Sequence, residues 1–179
     1  YYGDIVGDGS SQATWFKEGI ASFSFGEDSR VAAILASNGN DYASLNAAIG
    51  TGNESWVSAE QYASSYLAVK YLHSRIVASG QADGIKHMTT WIKTQFDTSS
   101  GASNSGINAY FSTFNIFKNG GGSFSGNADF ISEFKGSDGY TFIQNLHNSG
   151  EFSNADTGSI RGSDEGGAVS LNSFDVVPD

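Results

Sequence analysis

The side chain with the most to explain is Glu18, in the stretch Thr14-Trp15-Phe16-Lys17-Glu18-Gly19-Ile20-Ala21-Ser22-Phe23. Wound as an α-helix at ~100° per residue, this stretch carries Phe16, Ile20 and Phe23 on one face and Trp15, Glu18, Ser22 and Phe25 on the opposite one. Both faces hold large apolar residues, the pattern of a helix buried on two sides. A carboxylate left ionised and unpaired in such a place is costly. Glu18 is therefore expected to be protonated, hydrogen-bonded, ion-paired or metal-bound, unless its tip reaches water at the helix rim. The chain has no cysteine, so carboxylate and imidazole are the strong ligands left to it. Its three histidines, His73, His87 and His147, are neither adjacent to a glutamate nor paired at helical spacing. They read as ordinary histidines, His147 placed near a helix C-terminus where the dipole favours an imidazolium.

The elements that must position these groups are helices. With 179 residues the chain is long enough for a real core. Tyr62, Tyr66, Val69, Leu72 and Ile76 recur at spacings of four, three, three and four, and Ser58 with Gln61 forms a capping box, so a helix is predicted from Ala59 to Ser79, stopped by Gly80. Upstream, Gly26 ends the Glu18 helix. Asp28 or Ser29 then caps a short helix through Val31, Ile34 and Leu35, and Tyr42, Leu45 and Ile49 mark another. Downstream, Ile85, Met88, Ile92 and Phe96 form one apolar stripe and Ile107, Tyr110, Phe111 and Phe114 a second; Phe130, Ile131 and Phe134, then Tyr140, Phe142, Ile143 and Leu146, fit two shorter helices. Tyr1 to Ser11 and the triplet Gly120-Gly121-Gly122 read as loops. Residues 1–150 form the helical domain and residues 151–179 a Gly/Ser/Asp-rich tail or linker.

Nineteen acidic residues against nine basic give a formal net charge of -10, with no basic stripe or tail. This argues against nucleic acid and an anionic membrane surface as partners. No apolar run of about 18 residues is present, so no membrane span is expected. Gly-, Ser- and Asn-rich, cysteine-free, acidic composition points to an extracellular bacterial setting. Asp156, Asp164 and Glu165 among glycines make calcium a weak candidate, for they match neither an EF-hand loop nor a nonapeptide repeat.

The segment Trp15-Phe16-Lys17-Glu18-Gly19-Ile20-Ala21 resembles the Trp-x-x-Glu-Gly-x-Ala helix of the gluzincin metallopeptidases. Tyr62-Ala63-Ser64-Ser65-Tyr66-Leu67-Ala68-Val69-Lys70-Tyr71-Leu72 resembles the tyrosine helix that follows it in bacterial collagenases and their relatives, and Gly84 to Ile92 their next helix. Closer still is the flagellinolysin domain carried inside some bacterial flagellins, to which the turn Gly26-Glu27-Asp28-Ser29-Arg30-Val31 and the tail Asn154 to Asp164 are similar. The resemblance runs through nearly the whole chain in the right order. It implies a mainly α fold, the C-terminal helical part of a zincin-like (gluzincin) metallopeptidase.

In that family the helix that donates Glu18's counterpart supplies the third zinc ligand. A His-Glu-x-x-His helix, absent here, gives two histidine ligands and the general base. The resemblance therefore implies that this helix lies upstream of Tyr1, that Glu18 is a zinc ligand, and that Tyr62, with Tyr66 as second choice, hydrogen-bonds the oxyanion. The chain alone is expected to be inactive, since a catalytic zinc takes three protein ligands. Expected partners are a protein or peptide substrate, the N-terminal part of the same domain and flagellin or filament subunits. Without the upstream helix, Trp15, Phe25, Tyr62 and Tyr66 should line an exposed apolar patch. The alternative reading is a non-catalytic structural or adhesion domain of a bacterial surface filament; a carbohydrate-binding module is a third.

Overall fold

A computed structural model describes residues 13–53, 58–95 and 104–153. The N-terminal loop, Phe96 and the tail beyond Ser153, with the calcium candidates Asp156, Asp164 and Glu165, lie outside the described residues. Within them the protein is mainly α, as expected: α1 Thr14–Phe25, α2 Asp28–Asn38, α3 Tyr42–Ala47, α4 Ala59–Ala78, α5 Ile85–Gln95, α6 Asn104–Phe114, α7 Asn127–Lys135, α8 Ser137–Ser149 and a 3₁₀ turn Glu151–Ser153. None of the described helices is long and apolar enough to cross a membrane.

Helix α4 is the axis of the fold. The capping box that opens it is formed: Ser58 Oγ accepts the Gln61 N–H and Gln61 Oε1 accepts the Ser58 N–H, each at 3.2 Å. From Ala63 to His73 every residue is buried. The stripe of Tyr66, Val69, Leu72 and Ile76 is thus only part of its contact surface, and the small residues Ala63, Ser64, Ser65 and Ala68 let neighbours approach its other sides. Helices α1, α2, α3, α5 and α8 all pack on it.

The closest of these neighbours is α1. At Gly19 a Cβ would lie 2.5 Å from the Ser65 carbonyl oxygen and 2.6 Å from Val69 Cγ2. Only the missing side chain lets the two backbones meet at this distance. Phe16, Ile20 and Phe23 on one side of Gly19 and Trp15 and Ser22 on the other are all buried, so α1 is covered on both flanks. Gly26, at φ 76°, leaves the helix and donates its N–H to Ser22 O.

The turn into α2 departs from its sequence reading. Asp28 does not cap the helix; Glu27 holds the cap position, without a side-chain hydrogen bond, and Asp28 is buried in the first turn. Helix α3, by contrast, is capped by Asp41, whose Oδ1 accepts the Ser44 N–H at 2.9 Å. Beyond it, Asn46 donates from Nδ2 to both Phe134 O, at 3.1 Å, and Gly136 O, at 3.2 Å, tying α3 to the corner between α7 and α8.

Between α6 and α7 the chain forms a small hairpin: Phe124 N–H donates to Ile116 O and Lys118 N–H to Gly122 O, both at 2.9 Å, around the glycine triplet. Carboxylates of α7 and α8 hold it down. Lys118 Nζ meets Asp129 Oδ1 at 2.6 Å, Asn119 N–H donates to Glu133 Oε1 at 3.3 Å, and Asn119 Nδ2 donates to Asp138 Oδ1 at 2.8 Å. Glu133 Oε1 also accepts the Tyr71 hydroxyl at 2.6 Å, carrying the anchorage to α4.

Candidate functional site

The sequence-predicted site divides into a rim and an interior. Glu18 follows the rim reading: its residue is half-buried, on the flank of α1 one position before the Gly19 contact. Water reaches the side chain there, so burial does not force a partner on it. Tyr62 is also half-buried, near the start of α4, with the Arg30 guanidinium carbon 5.6 Å from its ring centroid. Arg30 is pinned in turn by Glu27, Nε to Oε2 2.7 Å. Burial raises the Glu27 carboxyl above its ordinary value, and the Arg30 charge opposes that rise.

Tyr66 lies in the interior, 1% exposed, and donates its hydroxyl to Asp28 Oδ1 at 2.9 Å. The same carboxylate receives Lys70 Nζ at 3.2 and 3.4 Å, and that nitrogen lies 5.1 Å from the Tyr66 ring centroid. With Asp28 fully buried and Lys70 3% exposed, this is an interior ion pair with a phenol as third member. It clamps α2 to α4. Sequence reasoning missed it, although Lys70 follows Tyr66 by four residues and so shares its buried face; a lysine there calls for a carboxylate.

The expected apolar patch is not present as stated. Trp15 is fully buried and Tyr66 nearly so; α7 packs on Trp15, whereas Tyr66 is enclosed by Phe23, Asp28 and Lys70. Trp15 stacks on Phe130 with centroids 5.0 Å apart and donates Nε1–H to Asn127 Oδ1 at 2.9 Å. The Phe25 side chain lies outside the described part.

Each histidine serves the fold. His73 is buried, and its Nδ1 accepts the Ile85 N–H at 3.3 Å, satisfying a donor in the first turn of α5. Burial, reinforced by the nearby Lys70 charge, lowers its pKa to about 4, so the ring is neutral. His87 Nδ1 lies 2.7 Å from the Tyr110 hydroxyl, and His147 Nδ1 lies 2.6 Å from that of Tyr42. Burial pushes the Tyr110 phenol well above its usual range. Among the described residues no three His, Asp or Glu side chains converge as a metal-binding group.

Glu18 is a single carboxylate at its place on α1, and all three histidines have Nδ1 in internal contacts. Set against known protein families, curated proteins and solved structures, the chain matches none of them.

Proposed function

We propose that this chain is the C-terminal helical part of an extracellular zinc endopeptidase domain of the flagellinolysin type, with its two histidine ligands and general base on an upstream His-Glu-x-x-His helix. The observation that carries the reading is the Gly19 contact. The glycine of the Trp-x-x-Glu-Gly-x-Ala stretch is the residue at which α1 meets the backbone of the tyrosine helix, so the two resembling segments form one rigid pair. The half-buried position of Glu18 beside that contact supports the reading of it as one ligand. When bound, zinc supplies Lewis acidity and a water acidic enough to give hydroxide near neutral pH. This chain's part is to hold the metal through Glu18 and to donate the Tyr62 hydroxyl to the developing oxyanion. Tyr66, whose hydroxyl is directed at Asp28, is the weaker of the two phenols for that role.

The second reading, a non-catalytic structural or adhesion domain of a bacterial surface filament, is favoured by the number of polar groups engaged in internal contacts: Tyr66, Lys70, Asp28 and all three histidines. Zinc content and peptidase activity of the longest natural form, for wild type and Glu18→Gln, separate the two. One zinc per chain with activity, both lost in the variant, is the expected result. A full-length wild type that binds no zinc, with folding untouched by the substitution, sinks the peptidase reading and leaves the structural one.

A further inference from the structure

Helix α7 divides its side chains among three surroundings. Asn127, Phe130 and Phe134 are buried in the core, and Asp129 and Glu133 reach the hairpin. Ala128, Ile131, Ser132 and Lys135 follow one another at helical spacing on a third face. That face and the loop Gly50-Thr51 form the two walls of an open cleft of about 390 Å³. The volume lies within the roughly 300–1,000 Å³ of small-molecule sites.

Both walls are fixed by buried polar groups, so the cleft is preformed. Trp15 holds both sides at once: its backbone N–H donates to Gly52 O at 3.0 Å, just after the loop wall, while its indole N–H donates to Asn127 at the start of α7. A Cβ on Gly52, at φ 84°, would lie 2.6 Å from Trp15 Cδ1, so the loop closes directly over the indole. At the other end Asn46 grips Phe134 O and Gly136 O. Lys135 spans the cleft and donates to Gly50 O at 2.9 Å. An ammonium has three donors, and this contact uses one.

Among the described residues that line the cleft Lys135 alone is charged; the rest are hydroxyls, glycines, Ala128 and the largely buried Ile131. The acidic residues of α7 face elsewhere, which leaves a local cation on the surface of a chain with a net charge of -10. A cation and a hydroxyl donor beside an apolar floor match a carboxylate with a short aliphatic body. We infer that this cleft is a binding site for a small aliphatic carboxylate, its anionic group on Lys135 with the Ser132 hydroxyl and its hydrocarbon on Ile131 and Ala128. The inference stands apart from the peptidase reading, for none of its residues belongs to the Glu18 and Tyr62 site.

The test is an amide-resolved NMR titration of the full chain with 4-methylpentanoate, run beside the neutral 4-methylpentanamide, acetate and inorganic phosphate. Saturable shifts at Gly50, Thr51, Ser132 and Lys135 are expected with 4-methylpentanoate. Binding should weaken about tenfold in Lys135→Gln, as for loss of one charge-assisted hydrogen bond, and about as much for the amide. Ala128→Leu, which fills the cleft from an exposed helix position, should abolish it. Shifts that do not saturate, shifts elsewhere, equal binding of the amide, or phosphate and acetate binding as well as 4-methylpentanoate would each overturn the assignment.

Discussion

Replacing Lys70 by methionine keeps the length and apolar stem of the side chain and removes its charge. What remains is the carboxylate of Asp28, fully buried, with the Tyr66 hydroxyl at 2.9 Å and no counter-ion at the two oxygens that Lys70 Nζ approached at 3.2 and 3.4 Å. Breaking a buried pair in this way costs about 3–5 kcal/mol, against a total stability of about 5–15 kcal/mol for a domain. Removing both charges is another matter: in Asp28→Asn with Lys70→Met the amide oxygen still accepts from Tyr66, no charge is stranded, and the double variant should fall within about 1–2 kcal/mol of wild type. Urea unfolding followed by helical circular dichroism, with the four proteins of the cycle at neutral pH, reads the coupling directly. A loss below about 1 kcal/mol in Lys70→Met, or a double variant as weak as the sum of the singles, would refute the clamp.

The His73 ring makes stability depend on pH. Its folded pKa, about 4, lies below the unfolded 6.5, so its contribution is complete above 6.5 and is lost as pH falls from 6.5 to about 4, where the unfolded chain takes up a proton that the native ring refuses. At about 1.36 kcal/mol per pH unit this amounts to about 3 kcal/mol. Stability curves of wild type and His73→Gln should converge by that amount over this window, and an imidazole signal titrating near 6.5 in the folded protein would contradict it. Gly19→Ala improves helix propensity by about 1 kcal/mol but sets a methyl 2.5 Å from the Ser65 carbonyl oxygen. Overpacking of about 1–3 kcal/mol should prevail, lowering the urea midpoint; a gain in stability would mean that α1 and α4 are not in backbone contact.

The elements that were legible are those whose signals are local. The Ser58–Gln61 box, the stripe from Tyr62 to Ile76, the stop at Gly80 and the short stripes downstream depend on residues within a turn or two of one another, and the helix predicted from Ala59 to Ser79 runs Ala59–Ala78. The interior polar contacts link residues far apart in sequence. Asp28 reads as a cap because Asp before an apolar run commonly is one; its partner stands 42 residues later. Trp15 reads as half of an amphipathic pattern, and nothing near it announces Asn127, 112 residues away. For Glu18 the pattern of two apolar faces left open whether its tip is buried or reaches the rim, and its half-buried position agrees with the rim. The cleft along α7 was invisible for a similar reason, since the spacing of Ala128, Ile131, Ser132 and Lys135 is that of any surface face until the Gly50 loop stands opposite it.

At the tip of the hairpin between α6 and α7 the glycines have open space where side chains would stand. No atom lies within 4 Å of where a Cβ would sit on Gly120, Gly121 or Gly122, while Lys118 and Ser125 on its two arms are both fastened to Asp129. The side chains that fasten it are thus below the tip, and the tip adds only backbone contacts to Lys118. Such a place accepts foreign sequence: a peptide spliced between Gly120 and Gly122 would lengthen a closed loop at an entropic cost that rises only with the logarithm of its length. The domain thereby carries a ready position for display at this turn.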